Sequence, residues 1–116
     1  MWLLFNDASL SIVRKPDQEF GTLTVRARVA GDIERVCGPD VSVTEGGGTD
    51  YPFRAIVPVS AIQYAMVQRL AELDYDNFKA SVPEPDRHAA YSRIWRRLHD
   101  FGEARSCHGT PMPADA

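Results

Sequence analysis

The chain has 116 residues, with 13 Lys and Arg against 16 Asp and Glu, a net charge of −3 and a hydrophobic fraction of 44%. That length and balance describe a globular domain able to build a core without metal or disulfide staples. They do not suggest a nonspecific nucleic-acid binder, and direct nucleic-acid binding is not expected, although a local basic patch stays open. The two cysteines, Cys37 and Cys107, are too far apart to read as a disulfide framework, and no apolar run reaches the length of a membrane span.

The first elements are short and alternating. "WLLF" (2–5) and "ASLSIV" (8–13) are apolar runs separated by Asn6-Asp7. They predict a tight hairpin or one bulged strand. No basic segment precedes them, so a signal peptide is not expected. "RKPDQEFGT" (14–22) is a turn. "LTVRARV" (23–29) sets Leu23, Val25, Ala27 and Val29 inward and Thr24, Arg26 and Arg28 outward.

"GDIERVCG" (31–38) predicts a helix of about two turns, capped by Asp32, with Ile33, Val36 and Cys37 buried and Gly38-Pro39 as its stop. "VSVTE" (41–45) predicts a short strand and "GGGTD" (46–50) a flexible connection. "YPFRAIVPV" (51–59) alternates, with Tyr51, Phe53, Ala55, Val57 and Val59 on one face and Arg54 and Ile56 on the other. Pro52 and Pro58 place it at an edge or mark its ends.

Ser60 and Gln63 form a capping-box pattern opening a helix over 60–73, with Ile62, Met66, Leu70 and Leu73 as its apolar stripe. "DYDNFK" (74–79) reads as a helix-ending turn. Asp74 and Asn77 would close turns, Tyr75 and Phe78 would peg it to the core, and Lys79 would stay solvated. A last helix over 85–102 carries Tyr91, Ile94, Trp95 and Leu98 as its stripe. The remainder, 103–116, is small and polar and predicts a flexible tail.

The expected fold is α+β: a two-layer sandwich with a mainly antiparallel sheet of 4–5 strands and two or three helices on one face. Its middle portion would be ferredoxin-like. Residues 1–102 would form one domain.

Several segments together carry a resemblance: "VRAR" with "GDIE" (25–28 and 31–34), "DYPFRA" (50–55), "DYDNFK" (74–79) and "RHAAYSRIW" (87–95). The chain resembles a family of small bacterial proteins with no established activity. The resemblance spans residues 2–98 and implies no mechanism. The ending "RRLHDF" and the tail depart from the pattern.

Four constellations can carry chemistry. Arg26, Arg28 and Arg54 can share one sheet face and grip a phosphate or carboxylate, or sit there as solvated charges paired to Asp32, Asp50 or Glu45. Asp74, Asp76, Asn77 and Lys79 can add a polar rim beside them, or serve the turn alone. His88, Tyr91 and Trp95 share a helix spacing, and His88 can act as a base, but no nucleophile motif accompanies it. Arg93, Arg96 and Arg97 make the last helix basic, either a contact face or a solvated one. Cys37, His88, His99 and the Cys107-His108 pair show no metal spacing, and the glycine run lacks a phosphate-loop ending. No cofactor, metal or catalytic residue is expected.

Two functions fit. One is a cytoplasmic, non-enzymatic module that binds a protein or protein–nucleic-acid complex. A phage or mobile-element inhibitor of a host nuclease complex, of the anti-CRISPR kind, is one version by analogy of size and charge. The other is a small-molecule or nucleotide-binding domain, or enzyme, that holds an anionic ligand with the arginine cluster.

Overall fold

The computed structural model describes residues 1–46 and 50–107. The chain divides into two compact units, Met1–Asp76 and the segment from Asn77 onward. The division falls inside "DYDNFK".

The first unit is built on five strands: β1 Trp2–Leu4, β2 Ser9–Val13, β3 Thr22–Ala27, β4 Thr44–Glu45 and β5 Phe53–Pro58. Its helices are α1 Asp32–Cys37 and α2 Val59–Ala71. The sheet is antiparallel in the order β1-β2-β3-β5-β4. β5 therefore lies between β3 and β4, the two strands that α1 connects. This split β-α-β arrangement is that of a ferredoxin-like half, with β2 on the far side of β3.

Alternation decides which face is inside. Leu3 opposes Leu10, Ile12 opposes Val25, Val25 opposes Ala55, and Leu23 opposes Val57. These side chains join Ile33 of α1 and Ile62 of α2 in one core cluster. β1 and β2 form the tight hairpin, in which the Phe5 N–H donates to the Ala8 carbonyl at 2.8 Å.

Asp32 does not cap α1. It is the first helical residue, and Gly31 precedes it at φ 91°, where a side chain would be strained. The Asp32 side chain is fully buried. It accepts from the Ser9 backbone N–H at 3.0 Å and from Arg35 Nη1 at 2.6 Å. A carboxylate in the core thus ties the start of β2 to the first turn of α1.

The capping box does not form either. α2 begins directly at Val59, whose N–H is already held by the Gly21 carbonyl at 2.9 Å. Ser60 consequently lies inside the first turn, not at the cap. Only the first half of the α2 stripe is covered. Ile62 is buried and Met66 packs on the core, whereas Leu70 is exposed, and Leu73, expected within the helix, is also exposed and lies beyond its end at Ala71. The expected strand 41–45 shrinks to Thr44–Glu45, and Val29 lies beyond the end of β3, exposed. Pro52 and Pro58 mark strand ends, since Pro52 stands just before β5 and Pro58 closes it.

In the second unit a short 3-10 turn, Lys79–Ser81, leads to α3, Pro85–Cys107. α3 continues past 102, so residues 103–107, expected in the tail, are helical. Tyr91 is buried and its ring stacks on Phe78 at 5.6 Å between centroids. The rest of the expected stripe, Ile94, Trp95 and Leu98, is exposed. The glycine connection at 47–49 and residues 108–116, including His108, lie outside the described residues. No described helix is long and apolar enough to cross a membrane.

Candidate functional site

Strand pairing carries the outward residues into rows. One row crosses all five strands: Trp2 opposes Ser11, Ser11 opposes Arg26, Arg26 opposes Arg54, and Arg54 opposes Thr44. A second row sets Val13, Thr24 and Ile56 side by side. α1 and α2 pack against the other face, and Trp2 (78% exposed), Ile56 (60%) and Arg28 are open to solvent.

The three arginines expected to share a face do so, and they gather on Tyr51. The guanidinium carbons of Arg26 and Arg28 each stand 4.3 Å from the Tyr51 ring centroid. Arg54 Nε donates to the Tyr51 carbonyl at 3.4 Å. Arg26 Nη2 donates to Ser11 Oγ at 2.6 Å, while its buried Nε has no hydrogen-bond partner. Among the described residues neither Arg26 nor Arg28 forms an ion pair. The carboxylate of Asp32, one suggested partner, is taken by Arg35.

Tyr51 was expected to face inward with Phe53. Pro52 interrupts the alternation instead, and the ring crosses the outer face with its hydroxyl at Ser11. The phenol pKa is held below its ordinary value, first by the hydrogen bond with Ser11 and then by the charges of Arg28 and Arg26, against an opposing effect of burial.

Beside Arg54 lies a shallow cleft of about 440 Å³ lined by Lys15, Thr24, Ser42, Thr44 and Ile56. Lys15 adds a fourth cation to the face. None of the outward strand positions carries a carboxylate: they are Trp2, Leu4, Ser9, Ser11, Val13, Thr22, Thr24, Arg26, Thr44, Arg54, Ile56 and Pro58. The chain has 16 acidic residues. Their absence from these positions leaves a cationic sheet on a net-acidic protein.

Of the other candidates, Asp74 and Asp76 belong to the first unit and the rest to the second. Asp74 lines a different groove of about 900 Å³, with Leu70, Leu73, Tyr64 and Tyr75. Asp76 is exposed. Asn77 serves its turn, its Oδ1 accepting from the Ala80 N–H at 3.0 Å. Lys79, expected in solvent, lies 3.8 Å from the Trp95 ring centroid as a cation–π pair. His88 is exposed, whereas Tyr91 is buried with Arg87 Nη1 at 3.4 Å from its hydroxyl. Arg93, Arg96 and Arg97 are exposed on α3, and Arg96 pairs with Asp100 at 3.3 Å. Among the described residues, no three His, Cys, Asp or Glu side chains gather as a metal site.

Trp2, Ser11, Lys15 and Tyr51 are the residues that sequence reasoning missed. Pro52 was the available signal for Tyr51, because a proline ahead of a strand interrupts the alternation on its N-terminal side. Comparison with family models, curated proteins and solved structures finds no match to this chain.

Proposed function

We propose that the protein is a non-enzymatic binding module whose open sheet face holds an anionic group carried by a macromolecular partner. The observation that supports this reading is the crowding of like charge. Two guanidiniums share one ring, and a third stands in register opposite the first. Like charges directly opposed across strands destabilise a sheet. A bound phosphate or carboxylate reverses that repulsion and accepts bidentate hydrogen bonds.

The shape favours a surface over an enclosed small molecule. Pockets for small ligands bury most of the ligand, and the cleft beside Arg54 is shallow. The arginine cluster, expected to serve a small ligand, therefore suits the macromolecule-binding reading better. A cytoplasmic partner of protein or protein–nucleic-acid type remains part of this proposal. The narrower version, a mobile-element inhibitor of a nuclease complex, rests on size and charge and gains no residue from the site.

The test is thermal unfolding with sodium tripolyphosphate as the probe. The wild-type chain should be stabilised, and Arg28→Ala should lose that stabilisation while shifting the unliganded midpoint little, because Arg28 is exposed and its contact with Tyr51 is of the weak, solvated kind. Arg26→Ala is a poorer choice, since Arg26 also bonds Ser11. Equal stabilisation of wild type and Arg28→Ala, or none in wild type, overturns the reading.

A further inference from the structure

We infer that the open sheet face binds single-stranded nucleic acid, with Trp2 stacking on a base and the arginine cluster holding the neighbouring phosphates. The inference rests on the anion-binding reading above and adds the class of partner.

Charge alone fits an acidic protein equally well. The indole decides between them. Trp2 is 78% exposed and lies in the same five-strand row as Arg26 and Arg54. A large aromatic at an outward strand position contributes nothing to the core and is costly to leave in water. Its flat face suits a base, because every base presents a π surface, whatever its identity. Strands lie ~4.8 Å apart, so two strand spacings, about 10 Å, separate Trp2 from Arg26. A base and the phosphates flanking it can bridge that distance. Ser11, between them, is buried and bonded by both Arg26 and Tyr51, so a strand crossing that row passes over those two side chains.

Geometry also selects a single strand over a duplex. The major groove, about 12 Å wide, admits a helix or a two-stranded ribbon. A face five strands broad does not enter it. Unpaired bases can lie flat across such a face, where aromatic and cationic side chains alternate. Here the series runs Trp2, Arg26 with Tyr51, Arg28, then Arg54 with Lys15 along the cleft. Tyr51 is a positioning residue: its ring fixes Arg26 and Arg28 and its hydroxyl bonds Ser11. The net charge of −3 does not oppose this, because none of the outward strand positions carries an acid.

The experiment measures fluorescence anisotropy of a labelled mixed-sequence single-stranded DNA with the full chain. Competitors are polyphosphate, poly-glutamate and the duplex of the same sequence. Expected is binding in which the single strand outcompetes all three. Trp2→Ala should lower affinity about tenfold and Trp2→Phe much less, since one stacked base contributes roughly 1–3 kcal/mol. Arg28→Ala should weaken binding and reduce the slope of log affinity against log salt by about 0.7, the value for one phosphate on a single strand.

Competition by polyphosphate as strong as by DNA, with Trp2→Ala unchanged, overturns the nucleic-acid inference and leaves the anion reading standing. Stronger competition by poly-glutamate overturns it in favour of an acidic protein. Failure of DNA, polyphosphate and poly-glutamate alike to bind overturns both readings.

Discussion

Replacing Asp32 by alanine tests a buried polar tie between sheet and helix. The Asp32 carboxylate is wholly buried and accepts from the Ser9 N–H at 3.0 Å and from Arg35 Nη1 at 2.6 Å. Truncation leaves the Ser9 N–H without its acceptor, at about 1–3 kcal/mol. It also removes a charge-assisted bond to Arg35, whose side chain is 43% exposed and can return to water. That second loss is accordingly small, ~1 kcal/mol, because solvent screens the exposed partner. Relief of the carboxylate's own desolvation offsets part of the total. The net expectation is a destabilisation of roughly 2–3 kcal/mol, or about 10–20 °C in midpoint for a domain of this size. Urea unfolding followed by circular dichroism measures it, with Asp32→Asn as the companion, since an amide oxygen keeps the Ser9 bond. Asn should retain about half of the lost stability. A loss below about 0.5 kcal/mol for Asp32→Ala, the range of a neutral surface change, would refute the tie.

Further outcomes follow from the same geometry. Ultraviolet titration should show the Tyr51 phenol ionising below its ordinary range, and Arg28→Ala should return it upward, because removing a cation disfavours the phenolate. The sign for stability is that of a depressed pKa: any contribution from the phenolate is present at alkaline pH and is lost as pH falls through the folded value. Burial, and then Glu34, push the Cys37 thiol up, so in a Cys107→Ser background it should alkylate more slowly at neutral pH than a free cysteine. Glu34→Gln should speed that reaction by lowering the thiol pKa, and an unchanged rate would exclude the electrostatic contribution. Gly31→Ala should cost about 1–2 kcal/mol in urea unfolding, because φ is 91° there and an added Cβ meets Arg35 at 3.4 Å. Leu98→Ala, by contrast, should shift stability by less than about 0.5 kcal/mol, since the side chain is exposed despite its place in the expected stripe.

Legibility followed the range of the interactions. Period-two alternation in 23–27 and 53–57 placed Val25, Ala27, Ala55 and Val57 correctly, because one buried face imposes that pattern within the strand itself. Helix ends were read less well. Ser60 and Gln63 have the right spacing for a cap, but the chain enters α2 straight from β5 with the Val59 N–H already bonded. Apolar spacing in α2 and α3 was real as a pattern, yet it could not say how far each stripe is covered. Leu70, Leu73 and Leu98 are exposed because coverage depends on what lies opposite.

The candidate site divides the same way. The sequence by itself determined that Arg26 and Arg28 point to one side of their strand and that Arg54 points away from the core. Both facts follow from the pleat, a property of neighbouring residues. Only the tertiary structure decided that β3 and β5 are partners, that Arg26 and Arg54 meet in register, and that Trp2 joins them at the far end of the row. It also decided that Tyr51 crosses to the arginines instead of entering the core. Strand order and register are set by how separate segments share one buried surface, and no local pattern in a single segment contains that information.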